Sequence, residues 1–251
     1  MSQADRVIGL ARSLLVYHAI PRRQRRMRRL YRQFAPPGAV VFDIGAHVGN
    51  RARALAALGC RVIALEPQPD FARVLRLLFG RKAQIAVVEA AVTGANGEEW
   101  LSVSERTPTV STTASAWREA RAQEPGFDGV EWNRRLRVRT VTADALIAQY
   151  GVPAFIKIDV EGGERAVLDG LSTAVPALSF EYLPGAIDEV RACVERLAAL
   201  ARPRLYEFNW SVGESYELAS IEWLDADGLV AALGALGRDA RSGDVYARLQ
   251  A

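Results

Sequence analysis

Cysteine and histidine are nearly missing from this chain, with Cys60, Cys193, His18 and His47 the only examples in 251 residues. Neither cysteine has a metal-ligand partner at the usual spacing, so the sequence carries neither a zinc-binding pattern nor a disulfide framework. Long hydrophobic runs are missing too. The opening "MSQADRVIGLARSLLVYHAI" lacks a basic stretch ahead of an unbroken apolar core, and its apolar run stops short of a membrane span. We therefore expect no signal peptide and a cytoplasmic protein. No repeat or low-complexity tract is visible. Acidic residues are absent from 22–32, "RRQRRMRRLYR", which holds seven of the 32 basic residues and leaves 25 against 29 acids elsewhere. The basicity is local.

What is present is ordinary for a folded protein: 50% apolar and 24% charged residues argue against wholesale disorder and for one large domain. Helix-like apolar spacing at Val7, Leu10, Leu14 and Leu15 breaks at Pro21, so residues 1–37 read as an appended helical, arginine-rich arm and 38–251 as the main domain. After "APPG" the chain alternates strand and helix. Strands are predicted near 39–44, 61–66, 84–90, 153–159, 177–182, 204–209 and 243–249, and helices near 49–58, 69–79, 143–150, 163–170, 186–201 and 224–236. Nearly continuous apolar runs such as "AVVFDI" and "RVIAL" indicate strands covered on both faces, hence a doubly wound α/β sheet. The stretch 105–133, rich in Ser, Thr, Ala and Gly, lacks clear periodicity and reads as a binding loop or lid.

The first strand and turn, "VVFDIGAHVGN" at 40–50, fall where such sheets gather ligands. Gly45 and Gly49 allow a tight turn, and His47 reads as a turn residue between them. The Gly-x-x-x-Gly spacing lacks the third glycine of a dinucleotide loop. Asp43 would repel a phosphate and attract an ammonium or sulfonium. Glu66, 21 residues after Gly45 in "VIALEPQPD", stands where an acid accepts hydrogen bonds from ribose hydroxyls. An adenosine with a cationic amino acid tail satisfies both, and S-adenosylmethionine is that molecule.

A second signature, "FIKIDVEGGERAVLDG" at 155–170, puts Phe155, Lys157 and Asp159 on one strand face, with Lys157 placed to neutralise a neighbouring acid. Asp159 and Glu161 stand at the strand mouth, and Glu164 opens the following helix, where the dipole favours an anion. Glu181, in "SFEYLPG", ends the next strand. Asp159, Glu161 and Glu181 are the candidate catalytic carboxylates, each able to take a proton from a hydroxyl acceptor. Together they could also hold a divalent metal, which nothing in the sequence requires.

In the order "VFDIGAHVGN", "ALEPQPD", "VEAAVTGANGEEWLSV", "VRTVTADALI" and "FIKIDVEGGERAVLDGL", the sequence resembles the FkbM-type S-adenosylmethionine-dependent methyltransferases over roughly 38–185. The resemblance implies a class I methyltransferase fold: a Rossmann-like seven-stranded sheet, last strand antiparallel. It implies O-methylation of a hydroxyl on a small molecule, natural product or glycan. By the same resemblance, Asp43, Gly45, Ala46, His47, Gly49 and Asn50 surround the methionine part. Glu66 and Pro67 belong to the ribose side and Glu89, Ala90 and Ala91 to the adenine side, while Asp159 and Glu161 face methyl group and acceptor. Gly163 stands where alanine is commoner and His47 where asparagine is, and neither disturbs cofactor binding.

Two other functional classes fit the sequence less well. An oxidoreductase with a nucleotide cofactor is disfavoured by the missing glycine and by Asp43. A non-catalytic or RNA-binding protein on this fold is disfavoured by the acids at 43, 66, 159 and 161. The arginine run, Arg22 to Arg32, suits an acidic surface better than a nucleic acid, because no aromatic stacking pattern accompanies it.

Overall fold

A computed structural model describes residues 21–124, 127–237 and 239–250. The apolar runs become β1 (Val40–Ile44), β2 (Arg61–Leu65), β3 (Ile85–Val88), β7 (Phe155–Ile158) and β8 (Ala177–Tyr182), with β9 (Tyr206–Val212) and β10 (Gly243–Leu249) nearer the carboxyl end. They form one sheet in the order β3-β2-β1-β7-β8-β10-β9. Neighbours from β3 to β8 are parallel, and β10 runs antiparallel to both β8 and β9. This is the doubly wound, seven-stranded class I methyltransferase sheet. Its strand order reverses between β1 and β7, so the carboxyl ends of those strands border a crevice.

Helices cover both faces. α1 (Pro21–Tyr31), α2 (Asn50–Ala56) and α3 (Pro69–Phe79) lie toward one face, where Val41, Val62, Phe155 and Tyr246 meet Met27, Leu30, Leu55 and Phe79. α5 (Ala143–Tyr150), α6 (Glu164–Asp169), α7 (Ile187–Ala201) and α8 (Ala226–Gly234) cover the other, on Phe42, Ile63, Ile156, Leu178 and Val245. Burial from both sides is why these strands are continuously apolar rather than alternating. Cys60 and Cys193 are buried and unpaired.

Of the N-terminal arm, residues 1–20, including the predicted apolar spacing from Val7 to Leu15, lie outside the described residues. The arginine run itself is helical, described from Pro21 to Tyr31. Arg22, Arg25, Arg26, Arg29 and Arg32 are exposed while Met27, Leu30 and Tyr31 are buried. Just beyond α1, the Phe34 ring stacks on Phe155 at 5.3 Å and on Tyr246 at 5.5 Å, which fixes this segment to the sheet.

A second, three-stranded sheet was not predicted. It consists of β4 (Ala91–Val92), β6 (Arg134–Val141) and β5 (Gly97–Val103), in that order. The segment predicted to be irregular lies between β5 and β6 and carries a 3-10 turn at Pro108–Val110 and α4 (Ser115–Arg121). Trp117, Phe127 and Trp132 form its own aromatic cluster, with centroids 5.6 to 6.5 Å apart.

Candidate functional site

A cavity of about 270 Å³ opens at the carboxyl ends of β1, β2, β7 and β8. Gly45 and Glu66 line it from the first two strands, and Asp159, Glu161 and Glu181 from the others; Pro108, Thr109, Ser111 and Thr113 of the insert border it too. The insert is tied down there: Thr112 Oγ1 donates to the Glu161 carbonyl at 2.6 Å, and Gln68 Nε2 donates to the Pro108 carbonyl at 3.3 Å.

The β1 turn passes so close to β7 that only glycine fits. Gly45 has φ +80°, and a Cβ there would lie 1.8 Å from the Asp159 carbonyl oxygen. This contact joins the two signature motifs, which stand more than a hundred residues apart in the chain. The backbone N–H groups of Gly45 and Ala46 both donate to the Leu65 carbonyl, so the turn is also fastened to β2.

Glu66 is held at both oxygens. The His47 N–H donates to Oε2 and the Gln68 N–H to Oε1, each at 2.9 Å. Burial nonetheless pushes its carboxyl up to about 7, because two N–H donors replace only part of its hydration. Held this way, the carboxylate keeps acceptor capacity for a ligand's hydroxyls.

Asp159 sits between two cations, with Oδ2 3.1 Å from Arg51 Nη1 and 3.6 Å from Lys157 Nζ. Burial opposes its charge, yet Lys157 and Arg51 together hold it below the ordinary carboxylate range. Among the described residues Glu161 and Glu181 have no such ion-pair partners. Burial, then neighbouring carboxylates, drive both well above that range. Each of Asp159, Glu161 and Glu181 can offer an oxygen within 4.8 Å of the others, so the group suits a cation, a shared proton or a proton-accepting role. Glu164 does open α6; its Oε1 accepts from the Val160 N–H at 3.3 Å.

Of the sequence-predicted cofactor residues, Gly45, His47, Asn50, Glu66, Pro67, Ala90, Ala91 and Asp159 line the cavity. Asp43 does not line it; it is 1% exposed, and burial raises its carboxyl to about 6 against the opposing pull of Arg51 and Lys157. Ala46 and Gly49 shape the turn without lining the cavity, and Gly49 at φ +76° precedes α2 with Leu75 and Phe79 packed against it. Glu89 faces away, paired with Arg76 at 2.7 Å. The His47 ring packs on Phe71 at 4.4 Å, and burial lowers its pKa to about 4, so the imidazole is neutral at pH 7.

Sequence reasoning missed Asp244, Glu214 and the pairing of Arg51 with Asp159. Asp244 Oδ1 pairs with Lys157 Nζ at 2.9 Å. A lysine within an apolar strand demands a counter-charge, which was the available signal, but the partner comes from a strand 87 residues away. Glu214 lines the cavity and is bonded to Arg23 of α1.

The profile of the family described as methyltransferase FkbM domain matches residues 43–197. The hexuronic acid methyltransferase AglP of Haloferax volcanii is 24% identical over 155 residues, covering 61% of this chain and 58% of the relative. The chain thus spans less than two thirds of that relative's length. Among solved structures, the O-methyltransferase from Bacillus cereus in complex with SAH is 13% identical with a TM-score of 0.47, covering 100% of this chain and 92% of that one. Cofactor-bound Rv0187 from MTB is 14% identical with a TM-score of 0.46, covering 96% and 88%.

Proposed function

Because the chain belongs to the methyltransferase FkbM domain family, we propose that it is an S-adenosylmethionine-dependent O-methyltransferase acting on a hydroxyl of a small molecule, natural product or glycan. One observation carries this reading. A single cavity brings together Glu66, fixed by two backbone N–H groups, and the carboxylates Asp159, Glu161 and Glu181 at neighbouring strand ends. The donor set fits the cofactor's chemistry. An anchored carboxylate suits a ribose diol, and an acid-lined cleft suits an ammonium and a sulfonium but would repel a pyrophosphate. The relative's name supports a carbohydrate as acceptor.

Bound S-adenosylmethionine supplies a methyl group on a sulfur that is already a good leaving group. The chain's task is alignment and exclusion of water, which the tethered insert over the cavity serves. Attack by the acceptor oxygen releases a proton, and we assign its uptake to Glu181 or Glu161. A nearby cationic ligand favours their charged forms, turning groups that are acids in the empty cavity into bases when it is filled. Asp159, committed to Arg51 and Lys157, holds the cationic side in place. A divalent cation on the three carboxylates would supply the alternative activation of the hydroxyl. We assign residues 1–37 to the arm and 38–251 to the methyltransferase domain. The exposed arginines of α1 are assigned to an acidic surface; among the described residues no helix is long and apolar enough to cross a membrane.

Calorimetric titration with S-adenosylmethionine, S-adenosylhomocysteine and NAD, with and without magnesium, tests the proposal. Micromolar binding of the first two without NAD binding is expected; NAD binding alone would overturn it. A requirement for magnesium in turnover would favour the metal route over direct proton uptake.

A further inference from the structure

We propose that the methyl acceptor is an uncharged hydroxyl compound with an apolar face, seated in a second cavity that meets the first at Glu181. This rests on the methyltransferase reading above. The second cavity, about 320 Å³, lies between α6, α7 and the end of β8, with Trp117 of the insert contributing to its wall. Glu181 lines both cavities. The turn after β7 divides between them, with Glu161 on the first and Gly162 on the second. A methyl group held in the first cavity and a hydroxyl held in the second would therefore meet beside a carboxylate able to take the hydroxyl proton.

The walls state what the second cavity accepts. Trp117, Tyr182, Leu183, Ala186 and Val190 make its surface largely apolar, and a tryptophan and a tyrosine suit the flat face of a ring. Its charged groups are mostly of one sign: Glu164, Glu181, Asp188 and Glu189. Arg165 is the one guanidinium among the described lining residues, and it is already engaged. Its Nε donates to Asp169 Oδ1 at 2.9 Å and its Nη1 to the Ala192 carbonyl at 3.2 Å. An anionic acceptor, such as the hexuronic acid in the Haloferax relative's name, would enter an acidic, largely apolar cavity with no uncommitted cation among its described lining residues. A cationic acceptor would fit the acids but would face the sulfonium across the junction. The uncharged acceptor avoids both conflicts.

Three phenyl glycosides of similar size and different charge test this on the protein loaded with S-adenosylhomocysteine: phenyl β-glucoside, phenyl β-glucuronide and phenyl β-glucosaminide, each titrated calorimetrically. The neutral glucoside should bind at least tenfold more tightly than either charged probe. Ala186→Trp, which fills the second cavity, should weaken glucoside binding at least tenfold and leave S-adenosylhomocysteine affinity within twofold. Asp188→Lys, at an exposed position, should raise glucuronide affinity at least fivefold, and it serves where Ala186→Trp fails to fold. A charged probe binding as tightly as the glucoside, no binding of any probe, or glucuronide affinity unmoved by Asp188→Lys overturns the proposal while the cofactor reading stands. Failure of the wild-type protein to bind S-adenosylhomocysteine would overturn both.

Discussion

Lys157 Nζ, fully buried on β7, meets Asp244 Oδ1 of β10 at 2.9 Å across the intervening strand β8. The lysine also donates to the Ile158 carbonyl at 2.9 Å and stands 3.6 Å from Asp159, so one ammonium joins two acids that line the same cavity, Asp159 after β7 and Asp244 on β10. Asp244→Ala should cost about 3–5 kcal/mol in chemical denaturation, because it strands a buried cation rather than removing a net attraction. Lys157→Met with Asp244→Leu should recover most of that loss. A loss below about 1 kcal/mol for Asp244→Ala would show that the pair is more hydrated than its burial implies.

Stability of the ligand-free protein should fall as pH rises between about 5 and 7.5. Burial raises the carboxyls of Asp43 to about 6 and of Glu66 and Glu164 to about 7, above their unfolded values. The folded state then binds more protons than the unfolded state across this window, and stability declines as they leave. Asp159, held low, acts in the opposite direction at lower pH, and His47, lowered to about 4, offsets part of the decline below about 6.5, where the three raised carboxyls outnumber it. Glu66→Gln should flatten the decline by roughly 1–3 kcal/mol while weakening S-adenosylhomocysteine binding. Denaturation midpoints measured across the pH range check this. A midpoint that climbs toward pH 7.5 would contradict the assignment.

Turnover should show the reverse pH dependence. If Glu181 or Glu161 accepts the hydroxyl proton, kcat rises with pH through an apparent value above the ordinary carboxylate range, since burial and neighbouring acids raise both. Substituting the operating base by glutamine should lower kcat about 10²–10⁴-fold and remove that rising limb, with cofactor affinity little changed. Asp159→Asn should also depress kcat more than cofactor affinity, by releasing Arg51 and Lys157 from their shared partner. Retention of the rising limb in both glutamine variants would shift the role to another group or to a metal.

The outer face of α1 predicts salt-dependent attachment to anionic vesicles. Arg22, Arg25, Arg26 and Arg29 are exposed, while Arg23 is occupied by Glu214. Replacing the four by glutamine should cost about 1 kcal/mol each near such a surface. Co-sedimentation with phosphatidylserine vesicles at two salt concentrations is the measurement. Wild-type protein that stays in solution at low salt would rule the assignment out.

Strands buried on both faces were legible because nothing but an apolar run serves them, and all seven predicted segments enter the large sheet. The small sheet escaped notice for the opposite reason. β5 leaves Gly97 to Trp100 exposed, so half of it looks like a loop. β6 did carry a readable signal, the alternation Arg135, Leu136, Arg137, Val138, Arg139, in which Val138 is buried and the arginines are exposed. Within the cavity, residues next to glycine turns were visible because turn and ligand share one short stretch. Asp244 and Glu214 were not, because chain folding alone brings them to Lys157 and Arg23. Likewise the packing of Phe34 between Phe155 and Tyr246 depends on three distant segments, and local spacing could only show an arm.

Gly162 is the position where the insert and the β7 turn are most tightly committed to each other. Its φ is +85°, and a Cβ there would lie 2.1 Å from Trp117 Cγ, so alanine is disfavoured by both backbone and contact. Trp117 is itself 5% exposed and has little space to yield. Gly162→Ala should therefore displace the insert, changing near-ultraviolet dichroism and opening 104–133 to limited proteolysis, with a stability cost of about 1–3 kcal/mol. Activity should fall further than stability, because the same insert closes the cavity and walls the acceptor side. Adding Trp117→Ala should relieve the clash, so the double variant should be less destabilised than the sum of the two single changes. Strictly additive losses would mean that the close approach of Gly162 to Trp117 does not hold the insert in place.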